Sequence, residues 1–147
     1  VRIVIAADHA GFHLKEDLKK KLLEAGHEVV DIGTHSSEST DYPDFAYPAA
    51  QMVAGGQAEQ SILICGTGAG MAITANRLAG VRAVVCFSVE MARLARTHNN
   101  ANALCLASRL TDEDMAWQIV QVFLNTAFEG GRHLRRIEKI DRDISAD

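Results

Sequence analysis

Short runs of β-branched and aliphatic residues alternate with longer amphipathic stretches along the chain, and no other feature restricts the possible folds as strongly. Strands joined through helices run parallel, and a parallel sheet has to be covered on both faces because the crossovers lay helices across it. Residues 2–7 read as a first strand. Residues 11–25 follow as a helix, with Phe12, Leu14, Leu18, Leu22 and Leu23 on its apolar side and Gly26 as its stop. Residues 28–32 read as a second strand and 33–43 as a polar loop. Residues 45–54 read as a helix with Asp44 as N-cap and Gly55-Gly56 at its end. Strands over 61–65, 81–87 and 103–107 alternate with helices over 69–77 and 89–97, and helices over 112–126 and 133–144 close the chain. The expected fold is α/β: a three-layer αβα, Rossmann-like arrangement on a five-stranded parallel sheet, with residues 1–147 as one domain.

Composition narrows the partners. Hydrophobic residues make up 48% of 147 and only 2 are proline, which suits a chain able to bury most of its apolar surface. The net charge of −4 argues against a general nucleic-acid surface. The apolar runs are too short to span a bilayer, and the first residues lack the order of a secretory signal, so a cytoplasmic protein without a membrane partner is expected. The 3 cysteines lie in apolar segments without metal-ligand spacing, which points to free thiols and no metal site.

One cysteine stands apart. Cys65 is the last residue of its strand and is followed by Gly66-Thr67-Gly68-Ala69-Gly70. A thiol at a strand-to-helix turn faces backbone N–H groups that bind anions and favour thiolate. Cysteine is also a common small core residue, the reading that fits Cys86 and Cys105. Two nucleotide motifs fail on spacing: a dinucleotide fingerprint needs glycine where Met71 stands, and no lysine follows as in an ATPase-type loop. The loop therefore suits a developing oxyanion or a small sugar, or it simply turns the chain. A Cys65 thiolate there could serve as nucleophile or as general base.

Other candidates gather at strand ends. Asp8-His9 ends the first strand; Asp8 is either a helix cap or a member of a site at the switch point between the first and third strands, where open α/β sheets bind ligands. His98-Asn99 precedes the fifth strand, at the opposite sheet edge from Cys65. It is either a helix C-terminal cap or part of a neighbouring subunit's pocket, which would require a homodimer with shared sites. Arg132 and Arg136 are four apart and share one side of a helix, which suits a solvated face or a phosphate monoester. Arg109, just past the fifth strand, lies on the Cys65 edge.

Five segments in order extend these observations: residues 7–11 with Lys15, Asp41-Tyr42-Pro43-Asp44, Cys65–Gly70, residues 98–102, and Gly131-Arg132-His133 with Arg136. Together they resemble the type B ribose-5-phosphate isomerases, the group that includes galactose-6-phosphate isomerase subunits, over essentially the whole chain. The resemblance implies an aldose–ketose isomerisation with neither metal nor nucleotide cofactor. It makes Cys65 the base that moves a proton between C1 and C2 through a cis-enediolate, with Thr67 assisting and the amides of Gly66, Gly68 and Gly70 holding the oxyanion. It associates Asp8 and His98 with ring opening, Tyr42 and Asn99 with the sugar, and His9, Arg109, Arg132 and Arg136 with the phosphate, some of these from a partner chain in a homodimer or dimer of dimers. Some relatives carry a glutamate base in the glycine loop; Ala69 in this loop places the chain with the cysteine type. Other readings are an isomerase of allose or galactose 6-phosphate, a non-catalytic phosphosugar sensor, and a thiol hydrolase.

Overall fold

Residues 1–142 are described by the computed structural model. Strand β1 (Arg2–Ala7) leads through a 3₁₀ turn (His9–Gly11) into α1 (Phe12–Glu24). Then come β2 (Glu28–Gly33), α2 (Pro43–Ala54), β3 (Gln60–Cys65), α3 (Ala69–Ala75), β4 (Ala83–Val85), α4 (Val89–Asn99), β5 (Ala103–Ala107), α5 (Glu113–Asn125) and α6 (Arg132–Glu138). The five strands form one parallel sheet in the order β2-β1-β3-β5-β4. The chain first winds outward from β1 to β2 and then crosses to β3 on the other side of β1. The switch point therefore lies between β1 and β3, as expected.

Strand alternation sorts the core into two halves. Ile3, Ile5, Ile62, Ile64, Leu104 and Leu106 face α1, α4 and α5, burying Leu14, Leu18, Leu22, Ala92, Ile119 and Phe123. Val4, Ala6, Leu63, Cys65 and Cys105 face α2 and α3 and pack on Ala46, Ala49, Ala50, Met71 and Ala75. Each fully buried Leu or Ile contributes about 1.5–3 kcal/mol. The small side chains of α2 and α3 let those helices lie close to the sheet, and Cys65 is buried in that layer.

Several expectations need correction. Leu23 is 52% exposed and Phe12 only half-buried; the place in the α1 interface falls instead to Lys15, which is fully buried. Its ammonium meets Asp31 Oδ2 at 2.7 Å and Glu16 Oε1 at 2.8 Å, since a buried charge has to be paired. Strand β4 spans Ala83–Val85 rather than 81–87. It is an edge strand, and the N–H groups of Arg82 and Ala83 donate to the side chains of Asn102 and Asn76. Asp44 does not cap α2: Tyr42 occupies the cap position without a side-chain bond, Pro43 follows, and Asp44 sits in the first turn. The last helix ends at Glu138, and residues 143 and 144 of its expected span lie outside the described residues.

One close approach fixes the switch point. A Cβ on Gly11 would lie 2.7 Å from Ile64 Cγ2 and from the Ile64 carbonyl oxygen, so only glycine lets the 3₁₀ turn rest on β3. Gly11→Ala is expected to lower stability by about 1–3 kcal/mol through overpacking, read from denaturant midpoints; an unchanged midpoint would show that β3 yields at no cost. Asp31 supplies a pH test. Burial pushes its carboxyl up, but hydrogen bonds from Lys15, Lys19 and the Gly33 N–H outweigh this and hold it below its ordinary 3.8. A depressed carboxylate stabilises the fold above its unfolded pKa and loses that contribution as pH falls through its folded value. The stability gap between wild type and Asp31→Asn, measured by thermal unfolding, should be flat above about pH 5 and shrink at more acid pH.

Candidate active site

The glycine loop extends β3 while remaining tied to β5. The Cys65 carbonyl accepts from the Ser108 N–H at 2.9 Å and the Gly66 carbonyl from the Arg109 N–H at 3.1 Å. Gly68 then adopts φ +77°, a left-handed turn into α3. Thr67 Oγ1 accepts the Ala69 N–H at 3.3 Å, so one amide of the loop is already engaged by its own threonine. The Arg109 side chain lies across Gly66, with Nη1 only 3.0 Å from where a Cβ would be; its positive charge covers the loop that follows Cys65. Cys65 itself is 4% exposed. Cys86 and Cys105 are fully buried, as expected, and burial pushes both thiols up, Cys86 to about 11.

Asp8 stands level with Cys65 on the neighbouring strand. Ala7 pairs with Ile64, and the Asp8 N–H continues the ladder to the Ile64 carbonyl at 3.2 Å. Asp8 Oδ1 also accepts from Ala10 and Gly11 at 3.0 and 3.2 Å. Asp8 therefore caps the turn, and it does so beside Cys65. His9 is fixed by a reciprocal pair, its N–H donating to Thr40 Oγ1 at 3.0 Å and its Nδ1 accepting the Thr40 N–H at 3.1 Å. With Nδ1 engaged as acceptor, Nε2 is the nitrogen left to meet a ligand. The Tyr42 ring sits directly on Gly70, where a Cβ would come within 2.7 Å of it. Glycine at 70 is thus required for the contact that carries Tyr42 to the loop.

These residues border a cleft of about 460 Å³ lined by Asp8, His9, Thr40, Asp41, Tyr42, Pro43 and Asp44. Cys65 is not part of that lining; Asp8 and Tyr42 connect the cleft to the loop around the sulfur. Thr40 was not anticipated, because a threonine in a polar loop carries no sequence signal of its own. Its role appears only where the loop meets His9.

His98, Asn99, Arg132 and Arg136 lie elsewhere. Cys65 pairs with Ala107 at one end of β5, whereas Ala103, at the other end, follows directly on the His98–Asn102 segment. The length of the strand, about 13 Å at 3.3 Å per residue, separates the two groups along the sheet. His98 stacks on His133 of α6, with ring centroids 4.4 Å apart and planes inclined by 15°. Arg132 and Arg136 are exposed on the same short helix. Burial, then His98, Arg132 and Arg136, holds the His133 imidazole below its usual range, and its buried Nε2 has no hydrogen-bond partner among the described residues.

His98, Glu129 and His133 offer possible metal-ligand atoms within 4.8 Å of one another. A tetrahedral cation with bonds near 2.1 Å needs its ligand atoms ~3.4 Å apart, and Arg132 and Arg136 add positive charge beside His133.

The likeness to known proteins extends over the same residues. The family profile described as Ribose/Galactose Isomerase matches residues 3–140. Ribose-5-phosphate isomerase B of Escherichia coli (strain K12) is 48% identical over 139 residues, covering 95% of this chain and 93% of that protein. A ribose 5-phosphate isomerase structure from Thermotoga maritima superposes with a TM-score of 0.94 at 55% identity, covering 96% and 97% of the two chains. The Mycoplasma genitalium ribose-5-phosphate isomerase B, solved with bound ribulose-5-phosphate, gives 0.93 at 45% identity over 96% and 94%. With the profile matched over residues 3–140 and identities of 45% to 55% over nearly the full length of these relatives, the chain belongs to the ribose/galactose isomerase family.

Proposed function

We propose that this chain interconverts ribose 5-phosphate and ribulose 5-phosphate, with Cys65 as the general base. The observation that carries the assignment is the meeting of Cys65, Asp8 and the Tyr42–Gly70 contact at the switch point, in a chain whose relatives are named for this reaction. In the open-chain aldose, Cys65 takes the proton from C2, the C–H electrons form the C1–C2 double bond, and O1 gains the negative charge. Returning a proton to C1, while O2 loses one and O1 gains one, gives the ketose. The change is an internal hydrogen shift without net oxidation. Amides of Gly66, Gly68 and Gly70 hold the enediolate oxygens and Thr67 assists, an electrostatic stabilisation formed before the charge develops. Asp8 and Tyr42 hold the sugar over the loop, and His9 Nε2 and Arg109 contact the phosphate.

Charge supports a site shared between two copies. The cleft presents Asp8, Asp41 and Asp44, an unfavourable place for a phosphate dianion without added cations. The chain keeps Arg132, Arg136, His98 and Asn99 at the far edge of its own sheet, out of reach of its own cleft. In a homodimer, or a dimer of dimers, these groups enter the partner's cleft, where the arginines bind phosphate and His98 opens the furanose ring. No helix of the described residues is long and apolar enough to cross a membrane.

Cys65→Ala should leave ribose 5-phosphate binding within a few-fold of wild type while kcat falls by about 10²–10⁴; near-normal turnover would retire the thiol as base. Assays with EDTA present, comparing ribose 5-phosphate with allose and galactose 6-phosphates, should favour the five-carbon sugar. Preference for a six-carbon sugar would reassign the substrate and leave the reaction type in place. Subunit exchange between Cys65→Ala and His98→Ala proteins should regenerate native sites, about a quarter of the total for random pairing. No recovery, with exchange verified by mass spectrometry, would exclude shared sites.

A further inference from the structure

Arg96 is 9% exposed and makes no contact with the cleft. Its Nε donates to the Thr126 carbonyl at 3.0 Å, and its Nη1 to Asn100 Oδ1 at 2.9 Å and to the Ala101 carbonyl at 2.6 Å. The guanidinium carbon lies 5.7 Å from the Phe123 ring centre. Among the described residues no carboxylate pairs with it, and burial together with Arg82 disfavours its charge. A buried cation balanced only by neutral oxygens is a costly way to finish a helix whose end is already turned by Asn100 in the left-handed region, φ 44°.

What the arrangement secures is the position of two segments. Bonds to Asn100 and Ala101 fix the turn that presents His98 and Asn99. The bond to Thr126 ties that turn to the end of α5, from which the chain runs to α6 with Arg132 and Arg136. The Glu129 N–H, donated to the Thr97 carbonyl at 3.1 Å, is a second tie between the same segments. The planar fork spreads its donors over three acceptors on two stretches of chain; a methionine has no donor, and a lysine offers its donors from a single nitrogen.

We infer that Arg96 is a positioning residue for the exported half of the site, holding His98-Asn99 and the α6 arginines in the relative geometry that the partner's cleft requires. The inference rests on the shared-site reading above and adds that one buried side chain sets that half as a unit. Displacement on the scale of 1 Å is enough to reduce catalysis severely.

The test uses Arg96→Met, which keeps a long apolar side chain against Phe123. Its kcat/KM should fall by roughly 10- to 100-fold, with circular dichroism and dimer content unchanged. Subunit exchange with Cys65→Ala should then restore native sites, because the Arg96→Met chain brings an intact Cys65 and its partner an intact exported half. Exchange with His98→Ala should restore none, because both defects lie in the same half. Recovery with both partners, or with neither while Cys65→Ala and His98→Ala complement each other, overturns the inference and leaves shared sites standing. Failure of that reference pair removes shared sites and this inference with them. Should Arg96→Met not fold, Asn100→Gly keeps the left-handed turn and deletes one acceptor. It should show the same exchange pattern with a smaller loss, and full activity in that variant counts against the role of Arg96.

Discussion

The parallel pairing of β1 with β3, closed by Gly11 against Ile64, is the contact on which the site depends. It joins two segments distant in sequence and sets Asp8 level with Cys65 at the point where the winding of the sheet reverses. The reversal leaves the crossover helices on opposite faces, so a cleft opens above the strand ends where neither helix covers it. The loop ahead of α2 then lies across the opening. Two further contacts hold it there: Thr40 clasps His9, and Tyr42 rests on Gly70. The second needs glycine at the point of contact, because the Tyr42 ring comes closer than a Cβ allows.

A second constraint is the distribution of charge. Aspartates surround the cleft, while Arg132, Arg136 and a pair of stacked histidines gather at the opposite end of the sheet. Each arrangement is incomplete alone: the cleft lining holds Asp8, Asp41 and Asp44 with no lysine or arginine, and the buried His133 Nε2 has no hydrogen-bond partner among the described residues. In the shared-site arrangement proposed above, two copies together satisfy both. Buried charge elsewhere is handled internally, with Lys15 paired to Asp31 and Arg96 spread over three carbonyl oxygens. The first pair anchors α1 beside β2, on the side that supports Asp8. The second group anchors the ends of α4 and α5, on the side that supports His98.

Most strands and helices could be read from periodicity, since a residue pointing into the core declares itself by spacing. The departures have local causes. At the start of β4 the Arg82 N–H goes to the Asn102 side chain, while Asn76 covers the N–H and carbonyl of Ala83 at the sheet edge. Lys15 replaces Leu23 in the α1 interface because a carboxylate on β2 waits for it. Asp44 gives up the cap because Pro43 already begins the helix. Thr40 escaped notice because its partner lies across the fold, and Tyr42 could be named only by likeness to a family.

By itself the sequence determined the alternation of strands and helices, the parallel sheet that alternation requires, the position of Cys65 before a glycine turn, and the family. Hydrophobic period and turn chemistry act over a few residues, and a few residues suffice to read them. Tertiary structure alone decided the order of all five strands, that Asp8 caps a turn while standing next to Cys65, and that Thr40 and Tyr42 carry the loop ahead of α2 to His9 and Gly70. Those outcomes follow from strand order and close packing, which depend on the whole chain at once.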